Sequence, residues 1–254
     1  MKKRDLLLAS TVLSILLFVG SSPSCVQATD IETTRYNVLL RETQSVDDME
    51  KAFEKEGITV TDKIPEINFM TISTEKSKQD VKEENSSKIE EIVEDDKLTV
   101  KPNISYSYKG QVYTNDNSDF WENQWDMQKS ISTGTKFTHK SSGEATIGVI
   151  DSGITNDNSE ISSNIISVKN FAADATTGLV DDQNVLDKTG HATSVVGQIS
   201  SNGSYLGIAP GMRVRMYRVF DEGNAQDQWI LKALIQAAKD DVDVINLSFG
   251  EYLL

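Results

Sequence analysis

Cysteine is nearly absent from this 254-residue chain, which has only Cys25. No intrachain disulfide can form, so the fold must be held by core packing. Histidine is almost as scarce. His139 and His191 are the only two, and with one cysteine they offer no zinc-ligand spacing, which argues against a zinc enzyme. Basic residues are outnumbered too: 25 Lys and Arg against 39 Asp and Glu leave a formal charge of -14. Such a surface repels phosphate backbones, excluding nucleic acid as the expected partner and favouring cationic substrates. Internal repeats and low-complexity segments are also missing. What remains, 38% hydrophobic and 25% charged, is the composition of a globular protein with a packed core.

Long apolar runs are confined to the N-terminus. Lys2, Lys3 and Arg4 precede "LLLASTVLSILLFVG" from Leu6 to Gly20, and "VQA" ends at Ala28. A basic start, an apolar middle and a small-residue cut site make a secretory signal peptide over residues 1–28. The run falls short of the roughly 20 apolar residues that span a bilayer, so the expected membrane contact is limited to export. Cys25 lies upstream of the cut. "SPSC" lacks the aliphatic residue of a lipoprotein anchor, so Cys25 reads as a small residue of the cleavage region.

The chain then divides by character. Residues 29–110 are acidic and rhythmically broken. "TRYNVLL", "ITVTDKI", "INFMTIST" and "KLTVKPNISYSY" read as strands, "SVDDMEKAFEKEG" and "KQDVKEENSSKIEEIV" as helices. The first helix carries its own punctuation: Ser45 as cap, Met49 and Phe53 on one face, Gly57 after the end. Strand, helix, strand, strand, helix, strand is the split βαβ order of a small ferredoxin-like α+β module. Its acidic runs read as a solvated face. The polar, turn-rich stretch around residues 111–118 reads as a cleavable linker. From residue 119 to 254, "EATIGVID", "RVRMYRVF" and "VDVINLS" read as strands alternating with helices at "GHATSVVGQIS" and "DQWILKALIQAAKD". That alternation predicts an α/β fold, a parallel sheet with flanking helices.

In such a sheet, reactive groups gather at the carboxyl ends of the strands. Asp151 ends "IGVIDSGI" there, with Ser152 and Gly153 turning the chain after it. Alone it would read as a turn or cap residue. Forty residues on, His191 opens the helix of "DKTGHATSVVGQI", whose Val195, Val196 and Ile199 should face the core. His139, in "KFTHKSSG", sits in no motif and reads as a surface residue. A strand-end carboxylate that holds one imidazole nitrogen and leaves the other free as a base is the orienting half of a serine-hydrolase triad.

"VIDSGI", "GHATSVVGQI", "GIAPGMRVRMYRVF" and "VINLSFG", in this order, resemble the subtilisin-like serine proteases (subtilases, peptidase S8). "NQWDMQKSI", "MYRVF" and "IQAAKDDVDVINLSFG" are most similar to the lantibiotic leader peptidases within them. The resemblance implies a secreted endopeptidase precursor from a Gram-positive-type bacterium. Asp151 would be its orienting acid, His191 its general base, and Ser248, Phe249 and Gly250 the segment along which a peptide substrate pairs. It also implies that the acidic module is a prodomain, inhibitor and folding aid to its own protease. The substrate would be a lantibiotic precursor leader, with a basic residue before the scissile bond. No cofactor is required. Calcium is a conceivable guest of acidic loops such as "TNDNSE", although a solvated turn is the commoner outcome. Ala192 and Ser194 depart from the glycine and histidine of many relatives, but both are small.

The family's nucleophile lies in a "GTS"-type segment, and none follows His191. The expectation is therefore a polypeptide stopping about halfway through the resembled domain, unable to cleave alone. A parallel sheet cut there leaves "VINLSF" as an apolar edge, a threat to domains stable by only about 5–15 kcal/mol. The alternative is a non-catalytic fragment that binds a peptide or a related protease.

Overall fold

A computed structural model describes residues 33–96, 98–99, 124–130, 144–155, 159–174 and 177–250. The signal segment 1–28, the linker 111–118 and His139 lie outside the described residues. The chain forms two units, one reaching Lys97 and the other running from Leu98 to Gly250. No described helix is long and apolar enough to cross a membrane.

The first unit contains strand β1 (Thr34–Leu40), helix α1 (Val46–Lys55), β2 (Thr59–Ile64), β3 (Phe69–Thr74), α2 (Lys78–Glu84) and β4 (Ile89–Glu94). The sheet order is β2-β3-β1-β4, and every neighbouring pair is antiparallel. This is the expected split βαβ topology. Ser45 caps α1 by accepting the Asp48 N–H at 3.4 Å, and Met49 and Phe53 are buried against Val38, Leu40, Met70 and Ile72. Gly57, at φ 76, follows the helix end.

One expected element differs. The helix predicted through residue 93 stops at Glu84, and "IEEIVE" is the fourth strand, a place the sequence pattern had given to "KLTVKPNISYSY". Ile89 and Ile92, three apart and both buried, imitate a helical face. A register irregularity opposite Leu39 and Leu40 lets both reach one side of a strand. Leu98–Thr99 (β5) instead pairs with Asn224–Ala225 (β9) in the second unit; residues 100–108 lie outside the described residues.

The second unit is built on a parallel sheet of order β10-β6-β8-β7: Val244–Asn246, Thr146–Asp151, Arg213–Arg218 and Ile165–Asn170. Among the described residues four helices accompany it: α3 (Trp125–Ser130), α4 (Ser159–Ser162), α5 (His191–Ser200) and α6 (Asp227–Lys239). Val149, Val214 and Met216 share a core with Ala192 and Val196 of α5, while Val195 and Ile199 pack beside it, partly buried. Alternation places Ile150 and Tyr217 on the opposite face. There Tyr217 Oη donates to Asp240 just past α6 (2.9 Å), and Ile230, Leu231, Ala233, Leu234 and Ala237 are buried. Helices on both faces are what a buried parallel sheet requires.

Strand β7 is an edge strand that the sequence pattern did not reveal. Its half-buried alternation in "IISVKN" is weak. Strand β10 is shorter than the predicted 242–248. Asp241 takes a left-handed φ of 57 after α6, and Asp243 accepts the Thr146 N–H through its carboxylate (2.8 Å), so these two residues form the turn into the strand.

Candidate active site

Asp151 is the last residue of β6 and is fully buried. Beyond it the chain must pass under the 185–187 segment. Ile154 donates its N–H to Val185 O (2.9 Å), and a Cβ on Gly153 would sit 2.6 Å from that carbonyl. With φ at 116, only glycine fits. That close approach brings the 187–191 loop, and His191 at the mouth of α5, over the end of the strand.

His191 Nδ1 lies 2.8 Å from Asp151 Oδ1. An ionised carboxylate can only accept, so with Asp151 charged the proton of this contact would sit on Nδ1 and leave Nε2 free to act as a base. The histidine side chain is 21% exposed, enough to meet an incoming group, whereas the aspartate is sealed. The Ser152 N–H also donates to Asp151 Oδ1 (2.7 Å), and Oδ2 is buried without a partner among the described residues. Burial pushes the Asp151 carboxyl above the ordinary carboxylate range, opposed by the hydrogen bond and charge of His191 and by Ser152.

Around this pair lies a polar layer that sequence reasoning missed. Asp187, 6% exposed, accepts hydrogen bonds from Ser152 Oγ, from the backbone of Thr189, Gly190 and Thr193, and from the Thr193 hydroxyl. Burial alone would raise its pKa. The donors led by Thr193, with Ser152 and Thr189, outweigh that and hold it below the usual range. A carboxylate three residues before the helix-opening glycine of "DKTGH" was the available signal.

Arg218, paired in register with Asp151, is 1% exposed and bonds Asn170 (2.9 Å) and Asp221 (2.7 Å). Lys188 reaches the same Asp221 oxygen at 3.0 Å. Burial would raise the Asp221 pKa, but Lys188 and Arg218 bring it below the usual range.

Ser248, Phe249 and Gly250 follow β10 outside any strand. Ser248 Oγ accepts from Asn246 Nδ2 (2.9 Å), and the Phe249 ring stands edge-on to Phe220 at 5.1 Å. Ala192 is buried in the α5 core, while exposed Ser194 bonds back to Gly190 O. In "NQWDMQKSI", the buried Gln124 side chain brackets both backbone groups of Leu206. Among the described residues, no cluster of three or more His, Cys, Asp or Glu is arranged to hold a metal; residues 156–158 of "TNDNSE" lie outside them.

Comparison with known proteins shows what the chain is similar to. Residues 142–252 match the subtilase family, Peptidase S8. The chain is 37% identical over 154 residues to the nisin leader peptide-processing serine protease NisP of Lactococcus lactis, covering 58% of this chain and 22% of that protein. It is 31% identical over 218 residues to the epidermin leader peptide-processing serine protease EpiP of Staphylococcus epidermidis, covering 80% and 46%. The crystal structure of EpiP from Staphylococcus aureus superposes with a TM-score of 0.61 at 28% identity, covering 85% of this chain and 50% of that one. The chain thus spans less than half the length of these two curated relatives. The parallel-sheet segment that joins Asp151 to His191 belongs to the subtilase family of serine peptidases.

Proposed function

We propose that this chain supplies the acid and base of a secreted serine endopeptidase that removes the leader from a lantibiotic-type precursor peptide. The observation that carries the reading is the buried Asp151 carboxylate 2.8 Å from His191 Nδ1, at the end of a parallel strand. Asp151 holds the imidazole in the tautomer whose Nε2 accepts a proton, and it stabilises the imidazolium that forms. His191 then takes the proton of an attacking serine hydroxyl and returns it to the leaving amine. The peptide lies along residues 248–250, pairing as an added strand. Two relatives named for leader-peptide processing support the substrate class, and the acidic surface suits a basic residue before the scissile bond.

Residues 192–254 contain no "GTS" segment, so the proposed nucleophile is not among the groups placed here. The ferredoxin-like unit acts as prodomain, and residues 1–28 direct export. The reaction as proposed needs no metal. Fluorophosphonate labelling and cleavage of a leader-bearing peptide test these points together. The expected result is neither label nor turnover from this polypeptide, and turnover lost on His191→Ala in the whole protease. Specific labelling of this polypeptide, or cleavage that survives His191→Ala, would contradict the reading.

A further inference from the structure

Helix α5 begins at the proposed catalytic base without a cap of its own. Its capping position is Gly190, at φ 74, which has no side chain to offer the N–H groups of the first turn. Orphan donors at a helix start normally cost stability unless a side chain accepts them. Here four consecutive backbone N–H groups are taken by three residues outside the helix, Asp187 accepting two of them. The Gly190 N–H goes to Asp187 Oδ1 (2.9 Å), His191 to Thr189 Oγ1 (3.2 Å), Ala192 to Ser152 Oγ (3.1 Å) and Thr193 to Asp187 Oδ2 (2.8 Å).

These acceptors converge on one carboxylate. Ser152 Oγ donates to Asp187 Oδ1 at 2.8 Å, and Thr189 Oγ1 stands 3.0 Å from both. Thr193 Oγ1 donates to Asp187 Oδ2 at 2.6 Å and accepts the Thr155 N–H at 3.2 Å. Ser152 is bound at both ends of the chemistry, its N–H on Asp151 and its hydroxyl between Asp187 and the first turn of α5. Asp187 has no cationic partner among the described residues; its neighbour Lys188 pairs with Asp221 and Glu222 instead.

We infer that Asp187 is a positioning residue of the site: through Ser152 and the first turn of α5 it fixes the strand end carrying Asp151 against the helix start carrying His191. The inference rests on the Asp151–His191 pair being the catalytic one. An amide cannot replace this carboxylate. Backbone N–H groups face both oxygens, Thr189 and Gly190 on one side and Thr193 on the other, so either orientation of an asparagine sets its own N–H₂ against a donor. A carboxylate at the positive end of the ten-residue α5 is favoured electrostatically as well.

The test reads the His191 Nδ1 proton by NMR in the full chain, using selectively labelled histidine and His139→Gln to remove the other imidazole. In the parent chain that proton should exchange slowly with solvent. Asp187→Asn should speed its exchange about tenfold and Ser152→Ala by a smaller factor, with far-UV circular dichroism unchanged, because each lost hydrogen bond is worth of order 1 kcal/mol. Ser152→Ala removes no charge, so acceleration there reports positioning and not electrostatics, and it decides the matter if Asp187→Asn fails to fold. In the whole protease, both changes should lower kcat, by up to about 100-fold, with KM little altered. Unchanged exchange in folded Asp187→Asn and Ser152→Ala overturns the inference. Asp151→Asn separates this from failure of the pair itself, since it should abolish the protected proton, and a proton that persists there refutes the Asp151–His191 reading instead.

Discussion

The two units handle charge in opposite ways. In the ferredoxin-like unit, most salt bridges lie at the surface, as between Lys63 and Asp47 or Lys76 and Glu84, while an aliphatic and aromatic core carries the fold. The parallel-sheet unit buries its charges: Asp151, Asp187, Arg218 and Asp221 are all less than a tenth exposed, near the carboxyl ends of β6 and β8. Sealing a carboxylate away from water is unfavourable unless it is fully bonded, so such a concentration marks where preorganised chemistry, and not simple stability, shapes the structure.

Changes in the second unit should strike chemistry hardest. In the protease proposed above, Asp151→Asn should lower kcat by about four orders of magnitude, because the imidazole loses its orienting acceptor; steady-state kinetics with the proposed leader-bearing substrate would show it. The first unit should respond only in stability. Phe53→Ala should destabilise it by about 3–5 kcal/mol in a urea titration, since the ring is wholly buried among Val38, Met49 and Ile72. Arg218→Met should weaken the second unit by about 3 kcal/mol by leaving Asp221 short of a partner. Ser45→Ala should cost the first unit about 1 kcal/mol through the lost cap of α1. Lys63→Met, which breaks one exposed and one half-buried pair, should move the urea midpoint little.

Acid sharpens the same contrast. Asp187 and Asp221 both have lowered native pKa values. Each therefore adds stability that is complete above the unfolded carboxylate value of about 4 and is lost as pH falls through the native one. Acidification below that range should loosen the second unit, and Asp187→Asn should flatten its pH dependence. Tryptophan fluorescence and circular dichroism across an acid titration would follow this.

Much of this was legible in the sequence, for identifiable reasons. The Ser45 cap, the Met49 and Phe53 face and the apolar run of "IGVID" are local signals that the fold leaves intact. Asp151 and His191 stand out because scarcity and strand-end position isolate them. What escaped depends on partners distant in sequence. The strand at Ile89–Glu94 carries helix-like spacing that only a register shift against β1 explains. Asp187 reads as an ordinary loop acid until Ser152, thirty-five residues earlier, is folded against it.

The most direct test of the account is the tautomer of His191 at neutral pH. Long-range nitrogen–proton correlation NMR on a histidine-labelled chain with His139 removed should show the proton on Nδ1 and a free Nε2, with the preference lost in Asp151→Asn. A proton resident on Nε2, indifferent to residue 151, would contradict it.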